Sequence, residues 1–189
     1  MRLKLIKFAS VKSTNDEAFK LIKKNKIKPS ILVATKQTKG RGTMGKKWIS
    51  KNGNLFITIF FEFNIKKIGF KEFSILNPHI IRNVLKKYSK YKILIKWPND
   101  LLIKKKKLCG ILQETINHKE RNFLIIGIGI NTFVSPENKS FNSACLLNYS
   151  KSNITNQEIL IKIKNSYEKL ISKLESYNFS YLKKSINKI

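Results

Sequence analysis

The sequence predicts an α+β domain in which helices pack against a mainly antiparallel sheet. Six short apolar runs have the length and pattern of strands, and three longer segments carry helix signals. Three of the predicted strands follow one another between residues 92 and 131 without a helix between them. With 189 residues and 42% hydrophobic content, the chain is expected to fold as one domain, 1–189, with a sizeable core.

The first half of the chain alternates strand and helix signals. Residues 3–8 alternate lysine with apolar side chains, which is the pattern of a strand with one solvated face. Thr14 and Glu17 have the spacing of a capping box, so a helix is predicted from this point to about residue 24. The next predicted elements are strands at 31–35 and 54–61, and between them a glycine-rich, basic loop at 39–47.

The second half contains a helix, three strands and a C-terminal helix. The first helix of this half is predicted at 73–88 and is broken only by Pro78 near its start. The strands are predicted at 92–97, 107–115 and 122–131. Residues 156–177 form the last helix, because seven apolar residues fall on one stripe at helical spacing: Ile159, Leu160, Ile163, Tyr167, Leu170, Ile171 and Leu174.

The formal net charge of +28 raises the alternative of a basic nucleic-acid-binding module. However, only four of the 39 basic residues are arginine, and the lysines are spread along the whole chain. Lysine, isoleucine and asparagine are all abundant, which favours a general compositional drift over selection of one binding face. We therefore expect no specific DNA binding, although the positive field would attract anionic ligands and acidic protein partners.

The chain carries no signal for a membrane or for secretion. No apolar run approaches the ~20 residues that a membrane helix needs, and lysines interrupt the short N-terminal segment. Cys109 and Cys145 lack the spacing of metal ligands and are predicted to be buried thiols. A cytoplasmic protein without a membrane partner is expected.

The glycine-rich loop is the first candidate site. Gly40, Gly42 and Gly45 could turn successive backbone N–H groups toward one point and form an anion-binding concavity. Arg41 adds a planar fork that suits carboxylate or phosphate. A mobile surface loop is the alternative interpretation, because the strand and helix of a P-loop are missing around it.

Polar groups at the ends of other predicted elements are further candidates. Ser13, Thr14 and Asn15 mark a helix start, where simple capping is the alternative role. Gln37 follows a buried strand and could bind a neutral polar ligand. Lys107 stands where a hydrated turn, 104–106, becomes a buried strand, so its ammonium could point inward at an anion.

The strand that ends at Asn131 could also contribute to a site. Gly127 and Gly129 lie within an otherwise apolar run, where small residues permit close approach by a ligand or by backbone. Asn131 offers both a donor and an acceptor. His79 and His118 have no Ser or Cys partner nearby in the chain, and no cluster of acids or histidines marks a permanent metal site.

Amides, hydroxyls, glycines and cations therefore dominate the candidate residues. Such groups suit the binding of two anionic substrates in line and the neutralisation of charge during transfer, as in an adenylating ligase.

The order of these motifs resembles that of the biotin–protein ligases. The resemblance covers roughly residues 5–150 and implies a catalytic domain of the class II synthetase-like type. The matching motifs are 13–15 (STN), 37–42 (QTKGRG), Trp48, 53–55 (GNL), 96–100 (KWPND), 107–114 (KLCGILQE) and 127–131 (GIGIN).

The resemblance implies a reaction in two steps. The carboxylate of biotin attacks the α-phosphate of MgATP, which gives biotinyl-5′-adenylate and pyrophosphate. A lysine of the biotin carboxyl carrier protein of acetyl-CoA carboxylase then attacks the adenylate, which gives an amide and AMP. ATP with Mg²⁺ and biotin are thus substrates, and no permanent cofactor is expected.

Roles follow by position in the matched motifs. Lys107 and Arg41 are the implied catalytic residues, and Asp100 is the implied contact to magnesium. The implied biotin contacts are Ser13, Thr14, Asn15, Gln37, Gly40, Arg41, Gly42, Thr43, Lys107 and Gly110. The implied ATP contacts are Arg41, Trp48, Asn99, Asp100, Lys107 and Asn131.

The sequence departs from the family pattern in two ways. Thr43 and Lys46 stand where the family loop usually carries arginines, which predicts weaker retention of the adenylate. Relatives often have a small C-terminal β-barrel and some an N-terminal DNA-binding domain, whereas this chain ends at Ile189 and reaches Ser13 almost at once. A minimal ligase without repressor function is expected, with a homodimer among the assemblies that the resemblance allows.

Two alternatives remain beside the nucleic-acid-binding module. A lipoate–protein ligase would share the fold and the adenylate chemistry, but GRG together with KWPND favours biotin. A degenerate, non-catalytic remnant would fit the drifted composition, whereas the presence of Arg41 and Lys107 favours an active enzyme.

Overall fold

The computed structural model describes residues 1–137 and 142–174. Seven strands and three α-helices lie in these residues, together with single 3₁₀ turns at Thr43–Gly45 and Leu147–Tyr149. In chain order the elements are β1 (Lys4–Val11), α1 (Thr14–Lys23), β2 (Ser30–Gln37), β3 (Leu55–Glu62), α2 (Phe70–Leu85), β4 (Ile93–Lys96), β5 (Asp100–Ile103), β6 (Lys106–His118), β7 (Arg121–Ile130) and α3 (Asn156–Lys173).

The strands form one sheet in the order β1-β2-β3-β7-β6-β5-β4. β1 and β2 pair in parallel, and the other five neighbouring pairs of this sheet are antiparallel. The predicted α+β class with a mainly antiparallel sheet is therefore confirmed. The connection between β1 and β2 is α1, as a parallel pair requires a crossover.

The main core lies between one face of the sheet and the helices α2 and α3. Successive side chains of a strand point to opposite faces, so β3 sends Ile57, Ile59 and Phe61 into this core. From α3, Tyr167 and the rest of the predicted apolar stripe meet them. Burial of each large apolar side chain contributes roughly 1.5–3 kcal/mol, which makes this face the principal source of stability.

The opposite face of the sheet is only partly covered. Ala18 and Ile22 of α1 pack there on Leu32, Phe60 and Ile125, in a separate and smaller cluster. Beyond the N-terminal end of α1, this face of the sheet includes Thr58 of β3, Gly110 of β6, and Gly127 and Gly129 of β7. A cleft forms at this uncovered part of the sheet.

Several element boundaries differ from prediction. The four-residue strand β5 was not predicted as a separate element, because Asp100–Ile103 is too short to show a period of its own. Helix α2 begins and ends about three residues earlier than expected and continues through Pro78. β6 extends to His118. The predicted end of the last helix, at residue 177, lies outside the described residues.

The predicted capping box at the start of α1 is wrong. Ser13 is the N-cap residue, and its side chain makes no capping hydrogen bond. The Thr14 hydroxyl faces Gln37 and Thr58 instead, because the helix start is turned into the uncovered face of the sheet.

No helix in the described part of the chain combines the length and the hydropathy needed to span a membrane.

Candidate functional site

The cleft on the uncovered face has a volume of about 850 Å³. This volume lies in the range of sites for small-molecule ligands. Its walls come from the start of α1, the glycine-rich loop, the β4–β5 hairpin and the glycine-containing parts of β6 and β7. Segments that are far apart in the sequence therefore meet at one place.

Hydrogen bonds fix the orientation of the Gln37 amide at one end of the cleft. The backbone N–H of Thr14 donates to Gln37 Oε1 at 2.8 Å, so this atom must be the carbonyl oxygen. The amide nitrogen of Gln37 donates to Ser50 Oγ at 3.1 Å. The Gln37 oxygen thus belongs to the polar cluster at the start of α1.

The Asn15 amide is oriented in the same way. Its nitrogen donates to the carboxylate of Glu114 at 2.7 Å and lies 3.4 Å from the carbonyl oxygen of Leu112. Both of these groups can only accept, so the amide nitrogen must face them. The carbonyl oxygen of Asn15 consequently faces Thr58, whose hydroxyl lies 2.6 Å away.

The resulting cluster contains more acceptors than donors. Three oxygen–oxygen contacts connect it: Thr58 to Asn15 at 2.6 Å, Thr58 to Thr14 at 2.7 Å and Thr14 to Gln37 at 3.0 Å. The two threonine hydroxyls supply two protons, and the amide oxygens of Asn15 and Gln37 can only accept. In one of the three contacts, therefore, neither oxygen donates a proton to the other. A ligand that brings N–H donors would complement this cluster.

The glycines of β6 and β7 make room for two side chains. A Cβ at Gly127 would lie 2.4 Å from Asn15 Oδ1. Cβ atoms at the paired residues Gly110 and Gly129 would lie 2.6 and 2.4 Å from atoms of the Trp48 ring. The space predicted to admit a ligand or backbone at Gly127 and Gly129 is thus occupied by the side chains of Asn15 and Trp48.

Lys107 and Asp100 form an ion pair at the other end of the cleft. Lys107 Nζ lies 2.7 Å from Asp100 Oδ1, and both side chains are about four-fifths buried. Asp100 reaches this place because it pairs with Gly110 across the β5–β6 ladder. The β4–β5 hairpin therefore brings the KWPND motif to Lys107.

The glycine-rich loop borders the same cleft as Lys107. Asn99, in the turn between β4 and β5, donates to the carbonyl oxygen of Ile111 at 3.0 Å, and its amide nitrogen lies 3.5 Å from Thr43 Oγ1 in the loop. Among the described residues that line the cleft, Asp100 is the one carboxylate. Six are basic, namely Arg41, Lys46, Lys47, Lys96, Lys105 and Lys107. This balance attracts an anion such as a polyphosphate.

Arg41 already binds two carboxylates of the protein. Its Nε lies 2.9 Å from Asp16, and its two terminal nitrogens donate to the two oxygens of Glu114 at 2.9 and 2.8 Å. Burial lowers the pKa of Arg41, but the hydrogen bonds and charges of Glu114 and then Asp16 more than offset this, so the pKa lies above its usual value. The fork predicted to bind carboxylate or phosphate thus holds the loop to α1 and β6.

Of the fourteen residues predicted for the site, thirteen line the cleft. Gly40 does not, and a Cβ there would lie 2.6 Å from Ser50 Oγ and 2.7 Å from the Trp48 carbonyl oxygen. Its place in the structure is a close packing contact at the base of the loop. The thirteen are Ser13, Thr14, Asn15, Gln37, Arg41, Gly42, Thr43, Trp48, Asn99, Asp100, Lys107, Gly110 and Asn131.

Sequence reasoning missed Thr58, Glu114 and Asp16. Thr58 carried a signal, since it is the one polar residue within the fully buried part of the run LFITIFF. Glu114 ends the motif KLCGILQE, and its place there implies no role in binding. Asp16 carried no signal beyond its place in the first turn of α1.

No nucleophilic or metal-binding chemistry stands out elsewhere. Cys109 and Cys145 are buried, as predicted, and burial raises the pKa of the Cys109 thiol, so it stays protonated at neutral pH. In residues 1–137 and 142–174, no group of three or more His, Cys, Asp or Glu residues could hold a metal ion.

Comparison with known proteins identifies the relatives of this chain. Residues 7–131 match the model of the biotin/lipoate A/B protein ligase family. The bifunctional ligase/repressor BirA of Bacillus subtilis is 34% identical over 126 residues, which cover 66% of this chain and 39% of BirA. The BirA of Escherichia coli is 36% identical over 101 residues, or 52% of this chain and 32% of that protein.

The fold is shared with a solved ligase structure. The biotin protein ligase from Aquifex aeolicus, in complex with biotin and ATP, superposes with a TM-score of 0.79 at 29% identity. The match covers 97% of this chain and 76% of that one. In contrast, the matches to the two BirA proteins span only about two fifths and one third of their lengths.

Proposed function

The chain belongs to the biotin/lipoate A/B protein ligase family, and on this premise we propose that it joins biotin to a carrier protein at the expense of ATP. The proposed enzyme converts biotin and MgATP into biotinyl-5′-AMP and pyrophosphate. It then transfers the biotinyl group to a lysine of the biotin carboxyl carrier protein of acetyl-CoA carboxylase. The relatives named ligase and the Aquifex ligase with biotin and ATP support this proposal.

The acceptor-rich cluster at the start of α1 is the feature that favours biotin over lipoate. The ureido ring of biotin has two N–H donors, which complement the oxygens of Asn15 and Thr14 in the cleft lining. Thr58 is fully buried and contacts both of these oxygens. The dithiolane ring of lipoate has no N–H donor and would leave one of the three oxygen–oxygen contacts of this cluster without a proton. A site built around hydrogen bonds discriminates strongly against an analogue that lacks them.

Lys107 is the proposed charge-stabilising residue of the first step. In that step an oxygen of the biotin carboxylate bonds to the α-phosphorus, and the bond from this phosphorus to the pyrophosphate oxygen breaks. Negative charge grows on the oxygens around phosphorus, where an ammonium in a partly buried site stabilises the transition state. The ion pair with Asp100 holds the ammonium at the cleft wall.

The second step needs little from the protein besides position. The amine nitrogen of the carrier lysine attacks the acyl carbon, AMP leaves with the bonding electron pair, and the amine loses a proton. The glycine-rich loop, with Arg41, Gly42 and Thr43, is proposed to shield the adenylate from water in the meantime. Asn99 and Asn131 are proposed on the nucleotide side, and Trp48 beside them.

Asp100 is the proposed contact to the magnesium of MgATP. Magnesium in nucleotide sites is commonly held by one or two carboxylates and by the substrate phosphates. Among the described residues that line the cleft, one carboxylate stands beside six basic side chains, and this fits such an arrangement.

A transfer assay tests the proposal. The purified chain is incubated with MgATP, an apo carrier domain and either labelled biotin or labelled lipoate. We expect label to reach the carrier from biotin and to do so at least roughly 10³-fold faster than from lipoate. Adenylate formed from lipoate alone would assign the chain to lipoate transfer, and no adenylate from either acid would overturn the ligase proposal.

Replacement of Thr43 by arginine is expected to prolong the lifetime of the bound adenylate. Thr43 lies on the cleft wall beside Asn99, and an arginine there would add a cation where the family usually has one. The measurement is the rate at which preformed biotinyl-5′-AMP dissociates from wild type and Thr43→Arg. Equal half-lives would show that Thr43 does not weaken retention.

A further inference from the structure

We propose that Glu114 is a positioning residue that orients the Asn15 amide toward biotin and ties the glycine-rich loop to it. This inference rests on the proposed function. The two oxygens of one carboxylate serve both tasks, since they accept from the Asn15 amide and from the Arg41 guanidinium.

The first task depends on which end of the Asn15 amide faces the ligand. Thr58 cannot fix this orientation, because a hydroxyl donates to an amide oxygen as readily as it accepts from an amide nitrogen. The Leu112 carbonyl oxygen is a distant acceptor at 3.4 Å. The Glu114 carboxylate at 2.7 Å is therefore the group that holds the amide nitrogen away from the ligand and presents the oxygen.

The second task concerns the loop. Arg41 is part of the glycine-rich segment, and both its terminal nitrogens bind Glu114, while Asp16 takes the remaining Nε. Bidentate pairs between arginine and carboxylate are geometrically specific. One oxygen, Oε2, is shared between the Asn15 nitrogen and an Arg41 nitrogen, so the loop position and the amide orientation are connected through a single atom.

The test compares three variants by steady-state adenylation, with the KM for biotin and for ATP measured separately. Glu114→Met removes both oxygens at similar side-chain length, so Asn15 is free to rotate. We expect the KM for biotin to rise about tenfold or more, as for loss of a hydrogen bond to a charged group. The KM for ATP should rise less, because Asp16 still holds Arg41.

The other two variants are matched controls. Glu114→Gln can keep an acceptor oxygen at the shared position, which preserves the orientation of Asn15 and one hydrogen bond from Arg41, whereas its amide N–H₂ cannot accept the second one. Because the Asn15 orientation is kept, the KM for biotin should stay within about threefold of wild type. Glu17→Gln removes one negative charge from the same helix as Asn15, but Glu17 pairs with Lys20 and not with Arg41, so this variant should leave the KM for biotin within about twofold.

The outcomes separate the inference from the function on which it rests. An active wild type together with an unchanged biotin KM in Glu114→Met, or an equal rise in both KM values, would overturn the role of Glu114 alone. Wild type that forms no biotinyl-5′-AMP would overturn both. Should Glu114→Met not fold, Glu114→Asp replaces it, because the shorter carboxylate cannot reach Asn15 and Arg41 together, and the same rise in biotin KM is expected.

Discussion

Lys107→Ala is expected to slow biotin adenylation by about two to three orders of magnitude, the usual loss for removal of a charge-stabilising group. The ammonium lies in the wall of the cleft at 2.7 Å from Asp100, and its removal would leave that carboxylate without its cation. The negative charge of Asp100 would then face the developing charge on phosphate. Pyrophosphate release at saturating biotin and MgATP measures the effect on the chemical step.

The neighbouring lysine is the matched control. Lys106 begins β6, is exposed and does not line the cleft. Because Lys106→Ala removes the same charge from the same strand, it should leave the rate within about twofold of wild type. If Lys107→Ala turned over at a comparable speed, or if both variants lost activity equally, the role of Lys107 would be wrong.

Gly127→Ala is expected to weaken biotin binding strongly, by at least about tenfold in dissociation constant. The added Cβ would lie 2.4 Å from Asn15 Oδ1, so the amide would have to leave its place against β7. The binding cluster would then lose the oxygen that Glu114 and Thr58 hold in position. Titration calorimetry with biotin alone measures this loss without any catalytic step.

A double-mutant cycle with Asn15→Ala tests the reason for this effect. Asn15→Ala removes the side-chain atoms that the new methyl group would meet, so Gly127→Ala should cost little further affinity in that background. Full additivity of the two losses would show that Gly127 acts through some feature other than the space it leaves for Asn15.

The sequence was informative where a physical pattern extends over several residues. The alternation at the first strand and the apolar stripe from Ile159 to Leu174 predicted elements that the structure contains. The order of motifs also predicted thirteen of the residues around the cleft. A β5 of four residues, in contrast, is shorter than the pattern needed to recognise it.

The remaining site residues depend on long-range contacts that no local pattern contains. Arg41 and Glu114 are 73 residues apart, and Asn15 and Glu114 are 99 apart. A capping interpretation of Thr14 was locally sound, but tertiary contacts to Gln37 and Thr58 took the hydroxyl. Long-range hydrogen bonds thus determine which polar groups face one another, and composition and periodicity do not contain this information.

The glycines at 110, 127 and 129 have a consequence for how this protein tolerates change. At these three positions Asn15 and Trp48 pack directly on the main chain of the sheet, so no side chain of the sheet lies beneath them. A peptide backbone has the same dimensions whatever residues a genome favours. Exchanges toward lysine, isoleucine and asparagine elsewhere can therefore accumulate while the main chain that supports Asn15 and Trp48 keeps its shape.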